Sequence, residues 1–307
     1  MWCVAKATQK KILFVAPARV GDAVLASSIL NHYLALWPNA EISVVSSPLV
    51  GPLFQYYPLL GELKLVSKSS NRWFRSHWLS ILRWAVKTRW DLVVDMRSYA
   101  LSYLLRTKAR KIFRGVPHRH MVDQFADFVS SPTLLSPRIW YHQDDVDELC
   151  SVLTRPGPYV ILSPFSKFLS KDWPVEHYVR LLNMFQFEGY TVILTGISQD
   201  LPTLDALRVL IDGIHRPVIN LFDWGHLRHM VPLFEQCALF IGSDSGLMHM
   251  AAATRCPTIG LFGATDAARY GPWQNTVIQA PSRVIDELSV EMVCQKVCPL
   301  LPKLSIG

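Results

Sequence analysis

The chain has 307 residues, which at about 150 residues per domain predicts two domains with a core each. Half of the residues are hydrophobic and only 18% are charged, a composition that excludes a disordered chain. The mean hydropathy is +0.20, yet the sequence lacks the roughly 18 uninterrupted apolar residues of a membrane-spanning helix. Because residues 1–15 do not resemble a secretory signal, we expect a cytoplasmic protein.

The net charge of +7 is unevenly distributed along the chain. Residues 1–150 hold 19 basic and 11 acidic residues, whereas the remainder holds 12 and 13. Within residues 64–119 there are 14 basic residues and only two acidic ones. The first half of the chain therefore predicts a basic surface and an anionic partner.

Short apolar runs predict strands along the whole chain, at residues 11–16, 41–46, 91–95, 159–162, 191–194, 218–221, 239–242 and 258–262. A turn with Gly21 and Asp22 follows the first strand, and apolar residues at helical spacing then predict a helix that Pro38 ends. A second amphipathic helix is predicted around Tyr178, with Gly189 as its C-cap, and a last helix at 289–300. Alternating strands and helices predict parallel sheets covered on both faces.

Residues 136–158 separate the two series of strands and helices. The segment contains Pro137, the acidic cluster Asp144–Glu148 and a Pro-Gly-Pro run, so we expect a linker whose acidic side chains are solvated. The predicted fold class is α/β, with two doubly wound domains that face each other across a cleft. Ligands of such sheets bind beyond the carboxyl ends of the strands.

Several chemical signatures are absent from the sequence, among them GxGxxG, GxxxxGK[ST] and HExxH. The run Gly242–Gly246 resembles a nucleophile elbow, but Asp244 stands where a serine is required. Cys294 and Cys298 lie four residues apart without a second pair of ligands, so we expect free thiols and no metal site.

Residues 240–253 form the segment with the clearest chemistry. A strand ends in a turn of small residues, and Ser245 and Gly246 open a helix whose first N–H groups would bind an anion such as a diphosphate. His249 lies one turn further and would add a donor. The alternative is that Asp244 caps the helix and His249 lies in the core, and the residues alone favour neither interpretation.

This segment closely resembles the DSGxxHxAAAxxxPxxxLFGxT signature of glycosyltransferase family 9, the lipopolysaccharide heptosyltransferases. Three further pieces occur in family order: the Gly21-Asp22 turn, a K-x-W-P motif at 171–174, and an L-x5-L-x3-C helix at 227–237. Two departures are present. Ala267 replaces a usual proline, and Ala16–Arg19 stands where the family often has Arg and Ser.

The resemblance implies a GT-B fold and an inverting transfer that needs neither metal nor cofactor. The donor would be a nucleotide diphosphate sugar, ADP-heptose being expected, and the acceptor the lipopolysaccharide core. Residues 1–140 would bind the acceptor, 141–158 would link the domains, and 159–307 would bind the donor. In such folds the last helix often packs back on the first domain.

The resemblance also assigns roles to individual residues. Asp22 would be the catalytic base, the alternative being that it caps the helix after the first strand. Lys171 would stabilise the leaving diphosphate, the alternative being an exposed surface lysine. The remaining predicted donor-site residues are Gly21, Ser166, Lys167, Asp244, Ser245, Gly246 and His249, and Lys167 departs from the usual Thr or Ser.

Basic residues alternate with tryptophans in the stretch 64–119. The predicted interface comprises Arg72, Arg75, Arg83, Trp73 and Trp78, and Trp84 and Trp90 continue the pattern. Such a pattern fits nucleic acid, anionic lipid or an ordinary solvated face. Since the family acceptor is an anionic glycolipid, we favour peripheral binding to the inner face of the inner membrane and expect no nucleic-acid partner.

Two functions of other classes compete with the transferase interpretation. A nucleotide-sugar epimerase of the same fold would not need the Gly21-Asp22 turn or the K-x-W-P motif. A catalytically silent binding protein would not need Asp22 or Lys171. The identity of the sugar, the acceptor hydroxyl and the oligomeric state do not follow from the sequence.

Overall fold

A computed structural model describes residues 9–67, 73–99, 101–166, 169–184, 187–197 and 201–301. The chain divides into two compact units. The first contains the described residues up to 116 together with 122–140, and the second contains 117–121 together with the described residues from 141 onward.

The first unit is built on a five-stranded sheet in the order β3-β2-β1-β4-β5, in which all neighbours are parallel. Its strands are β1 (Lys11–Val15), β2 (Glu41–Ser46), β3 (Leu60–Leu65), β4 (Trp90–Asp95) and β5 (Thr107–Ile112). Its helices are α1 (Val20–Leu36), α2 (Trp73–Lys87), α3 (Leu101–Leu104) and α4 (Met121–Val129).

The second unit is built on a six-stranded parallel sheet in the order β11-β10-β9-β6-β7-β8. Its strands are β6 (Tyr159–Ser163), β7 (Thr191–Gly196), β8 (Val218–Phe222), β9 (Cys237–Ser243), β10 (Thr258–Phe262) and β11 (Thr276–Gln279). Its helices are α5 (Gln143–Val152), α6 (Val175–Leu182), α7 (Leu201–Gly213), α8 (Met230–Glu235), α9 (Gly246–Ala252), α10 (Ala267–Tyr270) and α11 (Val290–Val297).

The prediction of two α/β units with parallel sheets is confirmed. Every predicted strand is present within one to two residues of its expected bounds, because strands covered on both faces are continuous apolar runs. Three strands were not predicted: β3, β5 and β11. All three lie at the outside of a sheet, and several of their side chains reach solvent.

Parallel pairing brings the carboxyl ends of all strands of a sheet to the same end. In the second unit β6 and β9 are neighbours, with Ser163 opposite Gly242. A Cβ atom at Gly242 would lie 2.8 Å from the Ser163 carbonyl oxygen, so only glycine permits this approach. The residues that follow β6 and β9 therefore emerge side by side.

The segment between β6 and β7 is anchored in the core of the second unit. Trp173 is fully buried, and its indole N–H donates to the Leu288 carbonyl at 2.7 Å. Pro174 precedes α6, whose C-cap is Asn183, so the prediction that Gly189 is its C-cap is wrong. Gly189 has φ +82° and lies in the turn that leads into β7.

The last described helix, α11, begins after Ser289, whose hydroxyl accepts the Met292 N–H at 3.2 Å. It packs against α6 and β11 of its own unit. Its packing on the first domain, which the sequence suggested, stays a prediction.

The predicted linker at 141–158 is not a solvated connection. It contains α5, which packs within the second unit against α8 and the 3-10 turn at Leu227–His229. Asp145 is 1% exposed and accepts hydrogen bonds from the His142 N–H at 2.9 Å and from Arg228 Nε at 2.6 Å. Since Arg228 lies far along the chain, the local acidic run could not show that this carboxylate is buried and paired.

We expect Asp145→Ala to lower the free energy of unfolding by about 3 kcal/mol, because Arg228 would lose its buried counter-ion. Asp144→Ala is the matched control on the same helix, since the Asp144 side chain is 82% exposed. Its effect should stay within about 0.5 kcal/mol. Urea denaturation at neutral pH measures both, and equal effects of the two substitutions would contradict the assignment.

Candidate functional site

The carboxyl end of the second sheet carries an ion pair between two residues that are far apart in sequence. Lys171 ends the 3-10 turn Leu169–Lys171 after β6, and Asp244 directly follows β9. The distance from Lys171 Nζ to Asp244 Oδ2 is 2.5 Å, and the side chains are 27% and 12% exposed. Lys171 is thus a partly buried residue of this site, and the alternative of an exposed surface lysine is wrong.

The helix after Asp244 is capped by its neighbour. Ser245 is the N-cap of α9, and its hydroxyl accepts the Met248 N–H at 3.4 Å. Asp244 is therefore not the helix cap, contrary to the alternative that the sequence left open. Its carboxylate is directed to Lys171 instead.

His249 lies on α9 and is almost fully buried. Burial lowers the pKa of its imidazole to about 4, and the nearby Asp244 carboxylate opposes this shift only in part. The imidazole is therefore neutral at pH 7. It can donate one hydrogen bond and accept another, but it adds no positive charge to the site.

Of the eleven buried side-chain polar atoms without a hydrogen-bond partner within the described residues, three belong to Ser163, Asp172 and His249. Ser163 ends β6, and Asp172 follows Lys171. Buried polar atoms without a partner are rare in folded proteins. Those of Asp172 and His249 belong to residues whose pKa responds to the charge of Lys171, so a polar ligand bound beside Lys171 could reach them.

Asp172 is a site residue that the sequence analysis did not identify. Its carboxylate accepts the Ser166 N–H at 2.7 Å and so fixes the loop after β6. Burial raises the pKa of Asp172 to about 6, while the hydrogen bonds from Ser166 and the charge of Lys171 act in the opposite direction. Its position between Lys171 and Trp173, within the K-x-W-P motif, could have identified Asp172 from the sequence. The predicted residue Lys167, next to Ser166, lies outside the described residues.

Asp22 and Gly21 lie in the first unit, inside the first turn of α1 rather than in a turn before it. Arg19 is the N-cap, and its side chain makes no capping hydrogen bond. The half-buried Asp22 is the third residue of the helix, so it is not the N-cap that the alternative interpretation required. A carboxylate in the first helical turn is also stabilised by the helix dipole.

The basic stretch is only partly described. Arg72 and the side chains of Trp73, Arg75 and Trp78 lie outside the described residues. On α2, Leu79, Arg83 and Lys87 are exposed, at spacings of four residues that place them on one face.

Two tryptophans of the same stretch serve the fold. Trp90 is 2% exposed, and its indole N–H donates to the Ala85 carbonyl at 2.9 Å. Trp84 donates to Glu62 Oε1 at 2.8 Å and lies beneath the Lys64 ammonium group. Their place in the alternating basic and aromatic pattern therefore does not indicate a ligand.

Among the helices of the described ranges, none has the length and apolar character to cross a bilayer. In the same ranges no three His, Cys, Asp or Glu side chains are grouped as metal ligands. The Sγ atoms of Cys294 and Cys298 lie 3.2 Å apart as free thiols.

Comparison with known proteins gives one consistent result. The model of the family "Glycosyltransferase family 9 (heptosyltransferase)" matches residues 72–297, a range that includes Lys171 and Asp244 and begins after Asp22. Lipopolysaccharide heptosyltransferase 3 of Escherichia coli K12 is 23% identical over 296 residues, which cover 84% of each chain.

Solved structures agree at the level of the fold. A family 9 glycosyltransferase from Veillonella parvula superposes with a TM-score of 0.82 at 18% identity, covering 95% of this chain and 97% of the other. The ADP-heptose lipopolysaccharide heptosyltransferase II of Escherichia coli gives 0.77 at 20% identity, covering 95% and 98%. The predicted fold class is thereby confirmed. Because the family model spans most of the sequence, this chain belongs to glycosyltransferase family 9, the heptosyltransferase family, and is a glycosyltransferase.

Proposed function

We propose that this enzyme transfers a heptose from ADP-heptose to the inner core of lipopolysaccharide, with inversion at the anomeric carbon. The observation that carries the proposal is the Lys171–Asp244 pair at the carboxyl end of the second sheet. This is where open α/β sheets bind their ligands. The names of the relatives favour ADP-heptose and lipopolysaccharide over other donors and acceptors.

The ion pair suits a site for a leaving diphosphate. Negative charge develops on the diphosphate as the glycosidic bond breaks, and a fixed cation stabilises it. Asp244 holds the Lys171 ammonium group in place before the donor binds. Ser166, Ser245 and Gly246 stay predicted donor contacts, and His249 would act as a neutral donor. Since Lys171 supplies positive charge, we propose that the transfer needs no metal ion.

Inverting transfer needs a base that removes the proton of the acceptor hydroxyl as its oxygen attacks the anomeric carbon. In our proposal this base is Asp22. The acceptor oxygen forms the new bond to the sugar, the bond to the diphosphate breaks, and ADP leaves. Asp22 carries the abstracted proton until solvent removes it.

Asp22→Asn keeps the size of the side chain but removes its basicity. We expect kcat for heptose transfer to a deacylated core oligosaccharide to fall by about 10²–10⁴. The affinity for ADP, measured by calorimetry, should stay unchanged. Asp123→Asn is the matched control, since Asp123 is also an acidic residue in the first turn of a helix of this unit. Near-normal turnover of Asp22→Asn would show that Asp22 is not the base.

Lys171→Ala should weaken ADP binding by about 10- to 150-fold, because a charge-assisted contact to phosphate contributes roughly 1.5–3 kcal/mol. Binding of adenosine should not change, since it carries no phosphate. Lys296→Ala, an exposed lysine on α11, is the control for loss of one positive charge. Equal losses for ADP and adenosine would place Lys171 away from the diphosphate.

We further propose that the basic face of the first unit binds the anionic inner surface of the inner membrane. Arg83, Lys87 and Arg89 are exposed, and each basic residue near such a surface contributes about 1 kcal/mol. The effect of charge should depend steeply on salt, because the Debye length falls from about 30 Å at 0.01 M to about 8 Å at 0.15 M.

Reversal of Arg83, Lys87 and Arg89 to Glu should release the enzyme from phosphatidylglycerol vesicles at low salt, while ADP binding is retained. The control reverses three exposed basic residues of the second unit, Arg208, Arg255 and Lys296. Both variants change the net charge equally. A difference between them in vesicle sedimentation would therefore show that lipid binds at the basic face of the first unit. Equal release of both variants, or no binding of the wild type at low salt, would refute the assignment.

A further inference from the structure

Three neighbouring strands of the first sheet are each followed by an arginine. Arg19 follows β1 by four residues, and Arg97 and Arg114 follow β4 and β5 by two residues each. Since these strands are adjacent and parallel, all three arginines emerge at the carboxyl end of the same sheet. The first turn of α1, with Asp22, follows the same end.

The loop that carries Arg97 is held by a buried carboxylate. Asp95, the last residue of β4, is fully buried and accepts the backbone N–H groups of Arg97 at 2.7 Å and Tyr99 at 2.8 Å. The Ser102 hydroxyl also donates to Asp95. The carboxylate therefore has three hydrogen-bond donors and serves to fix the loop around Arg97.

The neighbouring strands fix the same loop from both sides. The Met96 N–H donates to the Val15 carbonyl of β1 at 3.1 Å, and the Phe113 N–H donates to the Asp95 carbonyl at 2.9 Å. The Ser98 hydroxyl donates to the Phe113 carbonyl at 3.4 Å. Arg97 thus stands on a loop attached to the end of β1 and to the chain after β5.

The guanidinium group of Arg97 packs against a tyrosine ring and has no ion-pair partner among the described residues. It lies 4.3 Å from the centre of the Tyr99 ring, and the residue is half-buried. Within the described part of the chain, no carboxylate forms an ion pair with Arg97, Arg19 or Arg114. A stacked, half-buried guanidinium loses little freedom when it binds a planar or tetrahedral oxyanion through two N–H groups.

We propose that Arg97 binds an anionic substituent of the acceptor, a phosphate or a carboxylate, close to the hydroxyl that reacts. The inference rests on the proposed transfer to the lipopolysaccharide core and names the residue that recognises the charge of this acceptor. Exposed Arg19 and Arg114 add attraction for the same charge from the two sides.

The test compares Arg97→Ala and Arg97→Lys with Arg106→Ala. Arg106 is exposed and immediately precedes β5, so it lies at the amino end of the same sheet. Its substitution by alanine removes the same charge as Arg97→Ala. Each enzyme is assayed with three acceptors. The first is the deacylated core oligosaccharide, the second is this oligosaccharide after removal of its phosphates, and the third is this oligosaccharide with methyl-esterified carboxyl groups. The two modified acceptors distinguish a phosphate from a carboxylate as the bound group.

For Arg97→Ala we expect KM for the unmodified acceptor to rise about 10- to 100-fold, with kcat changed less than about threefold. The KM of Arg97→Lys should lie between those of Arg97→Ala and the wild type, because lysine keeps the positive charge but lacks the planar guanidinium group. With the modified acceptor that lacks the bound group, Arg97→Ala and the wild type should have equal KM values. Arg106→Ala should match the wild type throughout.

Three results for Arg97→Ala would overturn the inference: a KM equal to that of Arg106→Ala, a decrease in kcat alone, or a decrease in the affinity for ADP. The last result would place Arg97 at the donor. If the wild type transfers no heptose to any acceptor, the proposed function fails instead. The arginine Nε–Hε resonance of Arg97, titrated with inorganic phosphate and with acetate, then still tests the anion site, and the absence of a shift with both would refute it.

Discussion

The register between β6 and β9 determines the chemistry of the second unit. It places Ser163 opposite Gly242 at a distance that no side chain at 242 would allow, and the chain then leaves both strands at the same end of the sheet. Lys171 and Asp244, which are 73 residues apart, meet only because of this pairing. The burial of Trp173 against Leu288 holds the segment that carries Lys171, so the ion pair depends on both the sheet and the core.

The two sheets present different electrostatic surfaces at equivalent ends. In the second unit Lys171 is paired with Asp244, and a neutral His249 and the partly desolvated Asp172 lie nearby. In the first unit arginines without ion-pair partners in the described part of the chain follow three adjacent strands, and Asp95 fixes their central loop. In the proposed function, the end of the second sheet would hold the leaving diphosphate, and the same end of the first sheet would attract a charged acceptor.

Most of the central strands could be predicted from the sequence, because burial on both faces leaves continuous apolar runs such as residues 159–162 and 258–262. β3, β5 and β11 could not, since an outer strand tolerates polar side chains and resembles a loop. The motifs that contain Lys171 and Asp244 were recognisable separately, but their contact was not. The burial of Asp145 was missed for the same reason: its partner Arg228 comes from another part of the chain.

The position of β5 has a consequence for how the basic stretch is interpreted. β5 is the last strand of its sheet, so one side of its backbone offers N–H and C=O groups that another chain could extend by strand addition. Its exposed Lys108 and Arg110, with half-buried Lys111, make such pairing unfavourable because two copies of the strand would repel each other. The positive charge of β5 thus has an explanation that needs no ligand, namely that it disfavours strand addition at this edge.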